Sequence, residues 1–395
     1  MLSQGLERSV GMKHGRLGRR GFLRNVAAAA ALGAAGSMTA AVEPPAPRPM
    51  KVILWCWDAR MTWDDEPEAV SRKMAASEQA FPYGKRPESF LTGFKRLVDY
   101  ASWTGVHAVI VWGFLRDAHG GVKAAKELAA YARDHGVAIV PGVGLCAYGG
   151  YYYEGDHPFN LATYLRKHPE RASTAFEDGG GREVTPVLDP SLAENQAWWR
   201  DGLEWMLETF AIGGVNYEMG DFIVNPSESA VRARAGLGFE TNGNLMDCVV
   251  ATRGLLRHAL AAKPDGIFVN STYRGYHRIA SFPAMPYVGA VPPGTVWQYT
   301  LDEMVRKPGF PEGFAGAPEH RRHGYLHWFN TSTRTENRDY VEDIARVFPG
   351  AARLGFEFIG TYGEVGVTGN PVADRNYRAQ VAWAGNPALA PEDFA

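Results

Sequence analysis

A chain of 395 residues that is 46% hydrophobic and 21% charged has the make-up of a globular protein, which excludes intrinsic disorder and collagen-like structure. Its 41 basic against 43 acidic residues give a formal charge of −2, without the basic surplus that binding nucleic-acid phosphates requires. The 45 glycines imply many tight turns, and 11 Trp, 17 Tyr and 19 Phe imply a surface suited to stacking.

Residues 1–41 read as an export signal. Arg19 and Arg20 precede Phe22-Leu23, an Ala-rich apolar run follows from Val26 to Ala35, and the small residues Thr39, Ala40 and Ala41 suit a cleavage site. The pattern resembles a twin-arginine signal peptide and predicts a periplasmic or secreted protein. The apolar run is shorter than the ~20 residues a spanning helix needs, so no membrane span is expected after cleavage. Residues 42–50, rich in Pro, read as an extended linker. Without residues 1–41 the chain holds 35 basic against 42 acidic residues, a charge of −7, which makes nucleic acid a still poorer partner. Cys56, Cys146 and Cys248 are an odd number in apolar surroundings, so no disulfide framework is expected. No cofactor motif occurs.

From residue 51 onward, eight short apolar runs recur: Val52 to Trp57, Val106 to Gly113, Val137 to Gly144, Gly214 to Glu218, Gly266 to Asn270, Thr295 to Thr300, Gly324 to Asn330 and Phe356 to Tyr362. Most are continuous rather than alternating, as parallel strands covered on both faces are. Helical spacing fills several of the gaps, at Ser89 to Gly105, Val122 to Gly136, Trp198 to Phe210, Leu245 to Ala262 and Asp339 to Phe348. Eight strands alternating with helices predict an α/β fold, a single (β/α)8 barrel over residues 51–395. An open doubly wound sheet is disfavoured because no Gly-x-Gly-x-x-Gly follows the first strand. Long loops are expected after strand three, from Ala147 to Gln196, and after strand five, from Tyr273 to Gly294.

In such a barrel the residues at the C-terminal strand ends form the site. Those positions hold Trp57, Asp58 and Arg60 after strand one, Trp112 and Arg116 after strand two, and Tyr148 after strand three. Strand four supplies Asn216, Glu218 and Asp221, and strand five Asn270 and Tyr273. Trp297, Tyr299 and Trp328 come from strands six and seven, Tyr362 and Glu364 from strand eight. Aromatic faces stack on C–H-rich sugar rings, and Asn, Asp and Arg hydrogen-bond hydroxyls. Two carboxylates then suffice for glycosidic cleavage, one donating a proton and the other acting as nucleophile or base. Glu218 is the candidate acid because it closes an apolar run; Glu364 or Asp221 is the candidate second carboxylate. The plainer readings are a rim salt bridge from Glu218 to Arg60 or Arg116, and aromatics that are simply barrel core. Tyr151-Tyr152-Tyr153 cannot all be core, since consecutive side chains diverge.

Gly214-Val215-Asn216-Tyr217-Glu218-Met219-Gly220-Asp221, Thr361-Tyr362-Gly363-Glu364 and the closing Trp383-Ala384-Gly385-Asn386-Pro387 are similar to segments of TIM-barrel glycoside hydrolases, nearest the α-glucuronidase and hexosaminidase-like groups. The resemblance implies an acid on strand four, at Glu218. Two departures stand out. Tyr217-Glu218 replaces the adjacent Asp-Glu of hexosaminidases, and strand seven offers His327 and Trp328 in place of a nucleophilic Glu. Rival readings are a non-catalytic carbohydrate-binding barrel and a metal-dependent barrel hydrolase or isomerase using Glu218, Asp221 and His327. No metal site is predicted: strand one lacks a His-x-His pair, and His320-Arg321-Arg322-His323 reads as a solvated basic turn.

Overall fold

The computed structural model describes residues 47–57, 87–145, 152–172, 176–177, 183–184, 188–218, 227–238, 244–271, 290–301, 320–326, 339–362 and 371–394. All of them belong to one compact unit, residues 45–395. Its centre is a closed parallel barrel of eight strands: β1 (Lys51–Trp57), β2 (Ala108–Trp112), β3 (Ala138–Gly144), β4 (Gly214–Glu218), β5 (Ile267–Ser271), β6 (Val296–Thr300), β7 (Arg321–Leu326) and β8 (Phe358–Tyr362). The helices are α1 (Pro87–Thr104), α2 (Gly121–Asp134), α3 (Leu161–Lys167), α4 (Ala193–Thr209), α5 (Glu228–Gly236), α6 (Asn244–Ala262), α7 (Val341–Arg353) and α8 (Pro371–Gly385). A small antiparallel pair, Phe176–Glu177 with Glu183–Val184, sits in the long excursion after β3. The structure is therefore the single (β/α)8 barrel that the sequence predicts. Among the described residues, no helix is long and apolar enough to cross a membrane.

Strand pairing fixes which side chains face inward. Trp57 pairs with Trp112, Trp112 with Gly142, Gly142 with Asn216, Asn216 with Val269, Val269 with Val296 and Val296 with Arg321. The β7–β8 and β8–β1 pairings carry this row back to β1 eight residues nearer its N-terminus. A stagger equal to the strand number stacks the inward residues in layers of four drawn from alternate strands. The uppermost described layer holds Trp112, Glu218, Thr300 and position 362. Trp55, Gly142, Ser271 and Tyr325 lie beneath it, then Ile110, Asn216, Gln298 and Gly360, then Ile53, Val140, Val269 and His323. Ring contacts agree with the layering: Trp55 meets Tyr325 at 5.4 Å and Trp112 at 5.9 Å between centroids. The alternate residues, such as Leu54, Val111, Tyr217 and Phe268, pack outward into the larger core beneath the helices.

Strand seven departs from expectation. It begins at Arg321, three residues before the predicted Gly324, and the supposed solvated turn is its buried N-terminal half. Several of its polar groups find partners from distant parts of the chain. Arg321 binds both oxygens of Glu357 at 2.8 Å and the Gly266 carbonyl, Arg322 donates to the Leu354 carbonyl, and the Gln298 amide lies 3.4 Å from His323 Nδ1. Burial acts to raise the Glu357 pKa, but the hydrogen bonds and charges of Arg321 and Lys51 outweigh it and hold it below the usual value. Helix α7 also outruns its prediction: it continues through Pro349 to Arg353, with Ala351 and Ala352 in the core.

Candidate active site

Glu218 is the last residue of β4. Its side chain is 3% exposed and faces inward in the top layer beside Trp112. The backbone around it is fixed from both sides. The Leu145 amide donates to the Glu218 carbonyl at 2.7 Å, and Tyr217, pointing outward, places its hydroxyl 3.3 Å from that of Tyr152. Tyr152 donates its own proton to the Trp199 carbonyl at 2.6 Å, so Tyr217 is the donor in the phenol pair. Burial raises the pKa of both phenols, which keeps them protonated as this arrangement needs. Gly202 of α4 makes the contact possible, because a Cβ there would run into the Tyr152 ring. On the inner side, the Ser271 hydroxyl lies 3.5 Å from Glu218 Oε2 and 3.2 Å from the Tyr217 carbonyl. A carboxyl so enclosed, with a hydroxyl beside it, is suited to holding and releasing a proton.

The other sequence-derived candidates divide into three groups. Trp112 joins Glu218 in the inward top layer; its indole covers Gly142, where a Cβ would stand 2.5 Å from Cδ2. Asn216 also faces inward, two layers deeper. By contrast, Trp297 and Tyr299 belong to the core under the helices, and Asn270 turns outward to the Thr252 hydroxyl of α6 at 3.3 Å. Those three are corrections to the predicted sugar-binding set. Side chains alternate along a strand, and β6 and β5 are phased with Gln298 and Val269 inward. Arg116 is corrected as well: it is buried and ion-paired with Glu154 at 3.1 Å, and a chain bridge between the same two residues ties the β2 end to the loop after β3. Asp58, Arg60, Tyr148, Asp221, Tyr273, His327, Trp328 and Glu364, with the side chains of Trp57 and Tyr362, lie outside the described residues.

Several polar groups near the site escaped the sequence reading. Ser271 lies one residue beyond the expected end of strand five, Asn270. Glu154 and Tyr153 sit in the excursion, where no periodicity marks orientation, and the Tyr153 hydroxyl donates to Asp117, in the turn after β2, at 2.5 Å. Tyr152 and Tyr153 are both buried, and their rings meet Trp198 and Trp205 of α4. Asp189 accepts from the hydroxyls of Ser191, Ser227 and Ser229 and from the Ser191 amide, tying the excursion to α5. Burial acts to raise its pKa, but these hydrogen bonds lower it on balance. Among the described residues no cluster of three or more His, Cys, Asp or Glu could hold a metal ion.

No protein family and no curated protein matches the chain by sequence. Among solved structures, the α-galactosidase from Lactobacillus brevis superposes with a TM-score of 0.51 at 12% identity, over 86% of this chain and 40% of that one. A GH36 α-galactosidase from Geobacillus stearothermophilus gives 0.47 at 11% identity, over 86% and 42%. A β-N-acetylhexosaminidase from Bacteroides fragilis gives 0.47 at 13%, over 88% and 68%. This chain thus spans about two fifths of the length of those α-galactosidases. At such identities the likeness is one of fold.

Proposed function

We propose that this protein is a glycoside hydrolase whose proton donor is Glu218. The observation that carries the reading is the position of this carboxyl: buried, inward-facing, at the C-terminal end of β4 and beside an inward Trp. That end of a (β/α)8 barrel is where its enzymes place their chemistry. The α-galactosidase of similar fold adds the same class of substrate to the proposal.

Glu218 in its protonated form gives its proton to the glycosidic oxygen as the bond to the anomeric carbon breaks. A second carboxylate, Glu364 or Asp221, attacks the anomeric carbon or draws a proton from the attacking water. A separation of about 5–5.5 Å between the two carboxyls would give retention, and about 6.5–9.5 Å inversion. Trp112 supports the sugar ring, with Trp57, Tyr148, Trp328 and Tyr362 as further stacking faces and Asp58, Arg60 and Tyr273 as hydroxyl partners. The twin-arginine pattern of residues 18–24 supports an exported enzyme, and an oligo- or polysaccharide is the substrate proposed for it.

The test is a screen of the exported form against neutral, acidic and amino-sugar glycans, α-galactosides included, followed by Glu218→Gln on whichever is cut. Loss of several orders of magnitude in kcat, with binding retained, is the expected result. A variant with near-full turnover overturns the assignment. Binding of a panel sugar without any cleavage would instead support the carbohydrate-binding barrel.

A further inference from the structure

Asn216 is fully buried, and neither its amide oxygen nor its amide nitrogen has a hydrogen-bond partner. A buried amide in that state costs far more than one at the surface, and native interiors nearly always satisfy such groups with protein or water. Its surroundings are unusual for the middle of a barrel. The layer holding Asn216 contains one apolar side chain, Ile110 on β2; Gln298 on β6 flanks Asn216 from the other side, and Gly360 on β8, directly across, contributes no side chain at all. In the layer below, His323 faces the Gln298 amide nitrogen through Nδ1 at 3.4 Å, so the single proton of its neutral ring sits on Nε2. That nitrogen is also buried with no partner. One orphaned acceptor, the Asn216 oxygen, and two orphaned donors, the Asn216 nitrogen and His323 Nε2, are therefore enclosed in adjacent layers. Trp55 and Tyr325, in ring contact at 5.4 Å, stand in the layer between them and the rim.

We infer that the barrel interior holds an enclosed water site whose walls are Asn216, Gln298 and His323, and that Asn216 is a positioning residue acting on Glu218 through it. A water there accepts from His323 Nε2 or Asn216 Nδ2 and donates to Asn216 Oδ1, the two to four polar contacts that a buried water requires. Its second proton is directed to Ser271, which lies in the layer between and donates onward to Glu218 Oε2 or the Tyr217 carbonyl. The carboxyl is thereby held from beneath while its other face is left to the substrate. Asn216 lies too deep, behind Trp55 and Tyr325, to grip a sugar hydroxyl itself, as the sequence alone suggested.

The effect on turnover rests on the proposed glycosidase reading; the water site does not, and the experiment keeps them apart. A high-resolution crystal structure of the full chain should show ordered water within hydrogen-bond distance of both Asn216 amide atoms. Oxygen-17 relaxation dispersion should count long-lived water that Asn216→Leu expels and Asn216→Ser retains. The isotope-edited infrared band of the Glu218 carboxyl, assigned by its loss in Glu218→Gln, should shift in Asn216→Leu and return in Asn216→Ser. On a cleaved glycan, Asn216→Leu should lower kcat about tenfold, the worth of one hydrogen bond, and leave KM within about twofold. A dry chamber in the wild-type crystal, or an Asn216→Leu protein with unchanged relaxation and Glu218 band, overturns the inference. Should Asn216→Leu fail to fold, the wild-type density and the Asn216→Ser spectra decide. A protein that cleaves no sugar but keeps the water and the band shift would refute the function and leave the water site standing.

Discussion

Gly142→Ala probes the packing that places Trp112 beside Glu218. An alanine Cβ at this position would stand 2.5 Å from Trp112 Cδ2, 2.6 Å from Cε2 and 2.8 Å from Cγ. Carbon atoms in contact prefer about 3.5–4.0 Å, so the indole must withdraw by roughly 1 Å. It has little room to do so, because Trp55 meets it edge-on at 5.9 Å and is itself backed by Tyr325. Forcing one methyl into so closed a site costs about 1–3 kcal/mol, and Tm should fall by about 2–4 °C for each kcal/mol in a chain of this size. Near-ultraviolet circular dichroism reads the Trp55–Trp112 coupling directly and should change with Tm. A Gly142→Ala protein with Tm within about 1 °C of wild type and an unaltered aromatic spectrum would show that Trp112 does not cover Gly142. The top layer as described would then be wrong.

Three further outcomes follow from the same structure. Gly254 lies exposed in α6 with nothing within 4 Å of a built Cβ, so Gly254→Ala should stabilise by about 0.5–1 kcal/mol; a lowered Tm would contradict the helical assignment. Burial pushes His323 down to about 3, while the unfolded chain titrates near ~6.5, so between those values the unfolded state binds the extra proton. This stabilisation is complete above pH ~6.5 and is lost on acidification towards 3, at most on the order of 1.4 kcal/mol per pH unit; His323→Gln should flatten Tm against pH in that window, and parallel profiles would refute it. Arg116→Met removes the counter-charge of the largely buried Glu154 and should cost about 3–5 kcal/mol, largely restored by adding Glu154→Leu. A stable Arg116→Met protein with weakened sugar binding would instead return Arg116 to the substrate.

The barrel was legible because a strand covered on both faces is written as an unbroken apolar run. For β4 the expected and observed limits coincide at Gly214 and Glu218, since glycine bounds one end and Met219-Gly220 follows the other. The same property hides the phase of a strand. In Val296-Trp297-Gln298-Tyr299 both faces look buried, and only Gln298 marks the interior: here the inside of the barrel is polar and the outside aromatic. Strand β7 starts earlier than its apolar run for a related reason. Arg321, Arg322 and His323 look solvated until Glu357, the Leu354 carbonyl and Gln298 are brought to them from elsewhere in the chain. Ion partners distant in sequence leave no local pattern, and Arg116 with Glu154 is another case.

The seam between β1 and β8 has a consequence for how the chain is made. β1 is among the first segments of the unit to be synthesised, yet one of its edges pairs with residues 358–362. Met50, just before it, donates to the carbonyl of Ala384, and Lys51 lies 3.7 Å from Glu357. These contacts join parts of the sequence some 300 residues apart, the most non-local and slowest kind to form. Until β8 and α8 emerge, β1 has an open edge and an uncovered apolar face, which is when such intermediates aggregate. Ring closure therefore waits for β8, and a deletion that spares Glu218 and every rim residue but removes α8 would strip the first strand of its cover.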